Sequence, residues 1–286
     1  MSVLDRARAA PTAGELVRFS VALGGRGLLR GGGAEAARRV WMPLDVDRVV
    51  ELPWAGGLVR AESPARVLDL ASPKLLAAWL AQHTASSVVA TDLWPAEVER
   101  WQRLIRGADP AGNRYRRLTL ETADGTALPY PDGSFDAAYS ISVIEHIPGD
   151  GDAKAMSELA RVLRPGALLV LTFPYRKQFE DEFVEHDLYG TRFEGEPIFF
   201  CRHYSKDAVQ ERLLASGAFD VVEQVLWRKE GVPQAQARAH KIIPGGWPVG
   251  HLLGPVLPLL GRRVMRLGDV DDPAPSNVLG LALRRR

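Results

Sequence analysis

Arg66-Val67-Leu68-Asp69-Leu70-Ala71-Ser72-Pro73 is the stretch whose reading decides the fold. Val67, Leu68 and Leu70 form a short apolar run that suits a strand buried on both faces. Asp69, near its end, is a carboxylate that is costly to bury without a partner. Ser72 stands where a helix N-cap belongs and Pro73 where the first helical residue belongs, a position at which the missing N–H does no harm. Leu75, Leu76, Trp79 and Leu80 continue at helical spacing. A buried strand, a sharp turn and a helix in that order open an α/β sheet, whose ligands bind beyond the carboxyl ends of the strands. The same residues also suit an ordinary strand–helix joint with a solvated Asp69.

The unit repeats downstream. Ser87 to Asp92 is a second buried strand ending in an acid, and Pro95 opens a helix with Val98, Trp101 and Ile105 on one face and Gly107 as its stop. Leu118 to Glu121 reads as a third strand, with Ala123-Asp124-Gly125 just past its end. Pro131-Asp132-Gly133-Ser134 is a turn, and Ala137 to Ser142 a fourth strand. Met156, Leu159, Ala160 and Leu163 define a helix that Pro165-Gly166 ends, and Ala167 to Phe173 is a fifth, nearly continuous apolar strand. Such alternation predicts a Rossmann-like, mostly parallel sheet of seven strands with helices on both faces. Ser205 to Gly217 is expected to be helical, and Phe219–Leu226 with Ser276–Leu283 to form a last strand pair.

Three segments lie outside that repeat. Residues 1–64 form an expected N-terminal cap or lid in front of the domain at 65–286. Within it Gly24, Gly25, Gly27, Gly31, Gly32 and Gly33 break regular structure. No strand precedes these glycines and no Gly-Lys-Ser/Thr follows, so a flexible linker is a better reading than a phosphate loop. Glu51-Leu52-Pro53-Trp54 puts an acid and an aromatic just upstream of the first strand, either to fold over its end or as a turn with Trp54 in the core. The connection 174–203 is aromatic, charged and longer than usual, which suggests function. The insertion at about 230–275 contains a charge-free run, Ile242 to Gly261, approaching the length of a membrane span. Pro244, Pro248, Pro255, Pro258 and five glycines would leave backbone groups unpaired in hydrocarbon. Packing on the sheet or closure over an apolar substrate is expected, with a dimer contact or a membrane-surface contact as alternatives.

Composition narrows the class. The chain has 286 residues, 46% hydrophobic and 25% charged, as expected of a globular domain. A formal charge of +1 carries no basic footprint for nucleic acid. One cysteine, Cys201, fits a reducing compartment and reads as a packed small hydrophobe. No apolar signal segment is seen at the N-terminus, so a cytoplasmic protein is expected. No metal ion is expected.

The acids select the ligand. Asp69, Asp92 and Asp124 each fall at or just past the tip of successive strands. Asp92 follows Asp69 by 23 residues, the interval at which an acid can accept from ribose hydroxyls. A nicotinamide nucleotide would satisfy that spacing too. Its pyrophosphate, however, needs glycines for close backbone approach, and Ala71-Ser72-Pro73-Lys74-Leu75-Leu76 has none. Lys74 could reach an anion, although a lone lysine is more often solvent-exposed. A ribose-bearing cofactor without phosphates fits better.

These residues also carry a family resemblance. Val67-Leu68-Asp69-Leu70, Val89-Ala90-Thr91-Asp92-Leu93, Ala123 to Pro129, Phe135-Asp136, Ser140 to Ile147 and Glu158 to Gly166 together resemble the class I S-adenosylmethionine-dependent methyltransferases. Within that class the chain is similar to the small-molecule type that methylates menaquinone and ubiquinone precursors. The resemblance implies that Asp69, Ala71 and Ser72 meet the methionine part of S-adenosyl-L-methionine. It implies that Asp92 accepts from the ribose while Leu93 packs on the adenine. Asp124 would accept from the adenine amino group, with Ala123 and Gly125 beside it, and Ser140 and Ile141 would line the floor under the sulfonium. Where the family usually has Gly-x-Gly, this chain has Ala71-Ser72-Pro73. That departure keeps open a catalytically silent binding module that retains the fold. His146, just beyond the fourth strand, is the candidate general base, with a structural histidine before Pro148 as the alternative. His186, Asp187, His203 and Tyr204 are further polar candidates, each expected to be structural.

Overall fold

The computed structural model describes residues 10–184, 197–229, 254–271, 273 and 277–286. Among the described residues three helices come first: α1 (Ala13–Leu28), α2 (Gly33–Trp41) and α3 (Arg48–Glu62). Thr12 and Glu15 form a reciprocal capping box at the start of α1, satisfying two otherwise orphaned amides. The glycine run expected to be a linker is therefore largely helix. A Cβ on Gly24 would lie 2.6 Å from the Ala36 carbonyl oxygen, and one on Gly27 would lie 2.7 Å from a Leu104 methyl. These glycines let helices approach closely; they do not loosen the chain. Glu51 to Trp54, placed ambiguously by sequence, lies inside α3 despite Pro53.

The sheet begins with β1 (Arg66–Leu70), followed by α4 (Leu75–His83), β2 (Ser87–Asp92), α5 (Pro95–Ala108), β3 (Leu118–Thr122) and β4 (Phe135–Ile141). A 3₁₀ turn (Ile144–His146), α6 (Gly151–Val162) and β5 (Leu163–Tyr175) come next. β5 extends past the expected apolar run at both ends. The long connection at 174–203 contributes β6 (Glu180–Val184) and β7 (Ile198–His203), a separate antiparallel pair. Only Lys206–Ala208 of the helix expected at 205–217 is α-helical; a π-type turn continues over Val209–Leu213.

β8 (Phe219–Lys229), α7 (Leu257–Val264), β9 (Met265–Leu267) and β10 (Asn277–Arg285) complete the chain. The main sheet has 8 strands, ordered β3-β2-β1-β4-β5-β10-β8-β9. Seven were expected; the extra strand is β9, which pairs with the edge of β8 through Trp227, Arg228 and Lys229. β1 to β5 are mutually parallel, whereas β10 runs antiparallel between β5 and β8. The order reverses between β1 and β4, which makes their carboxyl ends the switch point where α/β sheets bind ligands.

Alternation along the strands divides the core. Val67, Val88, Tyr139 and Val170 pack with Leu16, Leu52, Leu76 and Trp101 on one face. Leu68, Leu70, Val89 and Leu169 pack with Met156, Leu159 and Phe173 on the other. The N-terminal helices thus share one core with the sheet. Residues 242–253, together with His186 and Asp187, lie outside the described residues. No described helix is long and apolar enough to cross a membrane.

Candidate active site

At the tip of β1 the chain turns on Ala71, whose φ of +55° takes the place of a glycine. Ser72 does not cap α4. Its hydroxyl accepts from the Ile141 amide at 2.9 Å, tying the turn to the end of β4. The Ser72 amide donates to Asp69 Oδ1 at 2.8 Å, and the Tyr139 hydroxyl donates to Asp69 Oδ2 at 3.1 Å. Asp69 is wholly buried, and desolvation raises its pKa to about 6 against the pull of Lys74, Ser72 and Tyr139. One of its oxygens holds the turn and the other ties β1 to β4.

Lys74 departs most from the sequence expectation. Only 2% exposed, it donates to the Ser72 carbonyl and to Asp92 Oδ2, each at 2.9 Å. The Trp94 amide takes Asp92 Oδ1 at 3.1 Å. A lysine straight after Pro73, facing an acid one strand away, was the available signal; only the spatial adjacency of β1 and β2 makes it a pair. Leu93 and Trp94, by contrast, are half exposed beside that carboxylate. Ala123 is buried, its amide donating to the Asp92 carbonyl at 2.9 Å. Asp124 is exposed and accepts from the Thr126 amide and hydroxyl at 2.8 and 2.7 Å. Asp69 and Asp92 therefore join one network through Ser72 and Lys74, and among the described residues no hydrogen bond brings Asp124 into it.

The end of β4 continues the floor. Ser140 is buried and donates to the Leu70 carbonyl at 3.2 Å, and Ile141 is wholly buried. Ser142 follows at φ +51°. Its hydroxyl meets Glu51 at 2.9 Å and Arg48 at 2.8 Å. Glu51 also accepts from Thr172 at 2.7 Å and pairs with Arg48. Sequence reasoning noticed Glu51 but not its partners: Arg48 is one turn earlier on the same helix, whereas Thr172 and Ser142 come from β5 and from the loop after β4.

Beyond β4 the 3₁₀ turn carries Glu145 and His146. Burial pushes the Glu145 carboxyl up to about 8 and holds His146 below its ordinary value. His146 Nδ1 lies 2.7 Å from the Phe200 carbonyl of β7, and Nε2 lies 3.7 Å from Glu145 Oε1. On the same hairpin, Cys201, His203 and Glu182 gather. Burial and the Glu182 and Glu145 carboxylates push the Cys201 thiol up, so it is a protonated, buried sulfur. Tyr204 donates to Asp152 at 2.8 Å in the core.

Residues 68–171 match the family model described as a methyltransferase domain. Methyltransferase GfsG of Streptomyces halstedii is 36% identical over 95 residues, covering 33% of this chain and 32% of that protein. Demethylmenaquinone methyltransferase of Thermus thermophilus is 36% identical over 131 residues, 43% of this chain and 56% of that one. A crystal structure of a putative methyltransferase from Bacillus halodurans superposes with a TM-score of 0.49 at 16% identity, over 77% of this chain and 91% of the other. The matched segment contains most of β1, all of β2 to β4 and most of β5, and over it the chain is similar to methyltransferases. The alignments span about a third and just over half of the lengths of these two curated relatives.

Proposed function

We propose that the protein transfers a methyl group from S-adenosylmethionine to a small, hydrophobic or aromatic metabolite, at an oxygen, nitrogen or carbon atom. The observation that carries this reading is the strand edge itself. Asp92 and the exposed Leu93 stand at the tip of β2, with Asp124 and Gly125 past the tip of β3, within the segment that matches the methyltransferase domain.

The donor set suits a nucleoside, provided the ribose takes over Asp92 from Lys74. Asp92 would then accept from the hydroxyls, Leu93 would offer an apolar face to the base, and Asp124 would accept from its amino group. Ala71 and Ser72, with Asp69 holding their turn, would border the methionine end, with Ser140 and Ile141 beneath. When bound, S-adenosylmethionine supplies a methyl group on a sulfonium, a leaving group good enough that the protein need only position the partners and exclude water. His146 supplies the base. A carbonyl can only accept, so Nδ1 carries the proton donated to Phe200, and the Nε2 lone pair is the basic site of a neutral imidazole. Phe179 and Phe183, exposed on the neighbouring hairpin, support an apolar acceptor.

The Lys74–Asp92 pair favours a second reading, a silent module whose nucleoside site is closed by its own lysine. Calorimetric titration of wild type and Lys74→Met with S-adenosylhomocysteine, with NADH as the control, separates the two. Binding to wild type is the expected result. Binding confined to Lys74→Met would mean the silent module, and binding to neither, or to NADH alone, would end the methyltransferase reading. Once an acceptor has been found by screening, His146→Ala should slow transfer by roughly 10²–10⁴-fold in single-turnover assays. A fully active variant would leave His146 a structural role.

A further inference from the structure

The hairpin beside His146 carries a group of side chains that the nucleoside edge does not use. Glu182 on β6 is in register with Cys201 on β7, and His203 follows Cys201 by two residues, so it returns to the same face of the strand. The ligand-type atoms Glu182 Oε2, Cys201 Sγ and His203 Nε2 all lie within 4.8 Å of one another. Sγ is 3.8 Å from His203 Nε2 and 3.9 Å from Glu182 Oε2, and His203 Nε2 is 2.8 Å from Glu182 Oε2.

We propose that Glu182, Cys201 and His203, three ligands among the described residues, form a zinc site near His146. Zinc bonds of about 2.0–2.3 Å in a tetrahedron put ligand atoms roughly 3.3–3.8 Å apart. The two sulfur separations are already near that range. The imidazole–carboxylate separation must widen by about half an ångström, exchanging one hydrogen bond for two metal bonds. A mixed thiolate, imidazole and carboxylate set selects zinc over magnesium or calcium, which take oxygen ligands.

A second observation points the same way. Glu145 is 99% buried, and its Oε2 has no hydrogen-bond partner among the described residues. It acts electrostatically on Cys201, while His146 feels both His203 and Glu182. Two carboxylates, a thiol and two imidazoles thus crowd one end of the site. Among the described residues, the cations acting on them include Arg48, held by Glu51, and Arg176, held by Glu180. A divalent ion would balance this excess of electron-pair donors. On binding, the Cys201 thiol proton passes to solvent as the sulfur–zinc bond forms. A coordination position not taken by the protein would accept water, or the oxygen or sulfur of an acceptor, and lower its pKa. The acceptor role rests on the methyltransferase reading; the metal site does not.

The test uses the full chain, free of any polyhistidine tag, stripped with a chelator and titrated with Co²⁺ and then Zn²⁺. One Co²⁺ per chain is expected, with a near-ultraviolet thiolate-to-cobalt charge-transfer band that zinc abolishes. Cys201→Ser should lose the band, and His203→Ala should bind zinc at least ten times more weakly, with circular dichroism reporting the fold of each. His203→Ala supplies the answer should Cys201→Ser fail to fold. No thiolate band in wild type, or unchanged zinc affinity in His203→Ala, would overturn the proposal. Neither result bears on S-adenosylhomocysteine binding, so the two readings fail separately.

Discussion

The two ends of the candidate site treat their polar groups in opposite ways. At the tips of β1 and β2 every buried group has a partner within the chain: Asp69 holds Ser72 and Tyr139, and Lys74 holds Asp92 and Ser72. Glu51 likewise gathers Arg48, Ser142 and Thr172 next to them. At the hairpin, among the described residues, Glu145 Oε2 is buried without a hydrogen-bond partner and a thiol is set among carboxylates. Polar groups that satisfy one another build a frame, whereas a surplus of one kind marks where something else must bind. The contrast also reassigns roles. Asp69, which sequence reasoning set at the methionine end of a cofactor, holds the turn, and a lysine of the same loop holds Asp92, the acid proposed to accept from the ribose.

The contrast is open to measurement. If the Glu51 network is frame, Glu51→Ala leaves the largely buried Arg48 without its partner and should cost about 3–5 kcal/mol in urea unfolding. A loss below about 1 kcal/mol would make Glu51 dispensable to the frame. Asp69 gives the next effect through pH. Its folded pKa of about 6 lies above the unfolded value of 3.8, so the native state keeps a proton that the unfolded chain releases. Its contribution is therefore complete below the unfolded value and is lost as pH rises towards 6. At about 1.4 kcal/mol per pKa unit, the decline amounts to roughly 3 kcal/mol. Asp69→Asn should flatten that part of the stability profile, and an unchanged slope would show that Asp69 titrates normally.

Lys74→Met tests whether the frame competes with the ligand. With the ion pair gone, S-adenosylhomocysteine has no lysine to displace and should bind on the order of tenfold more tightly, about 1.4 kcal/mol. Weaker binding would make Lys74 a contact instead of an obstacle. The smallest effect belongs to the hairpin: His203→Ala should change the stability of the metal-free protein by less than about 1 kcal/mol. A large loss there would assign the cluster to the frame and erase the contrast.

Much of this was legible in the chain. Period-two and helical patterns placed β1 to β4 and α4 to α6 almost to their observed ends, because each element buries a face that its own spacing defines. The glycine run misled, since a helix that needs close approach and a loop that needs freedom use the same residue; the Ala36 and Leu104 contacts tell them apart. The hairpin at 180–203 was hidden because its strands are short and only partly buried, so periodicity is weak there.

By itself the sequence determined a doubly covered α/β sheet, three acids at or just past successive strand tips, and the likeness to class I methyltransferases, since strand period, turn residues and motif spacing are local properties. Tertiary structure alone decided which acid pairs with which cation, that Lys74 lies buried on Asp92, and that Glu182, Cys201 and His203 meet. Those outcomes depend on which strands become neighbours, and burial then makes pairing obligatory: a charge removed from water must find its partner wherever the fold has placed one.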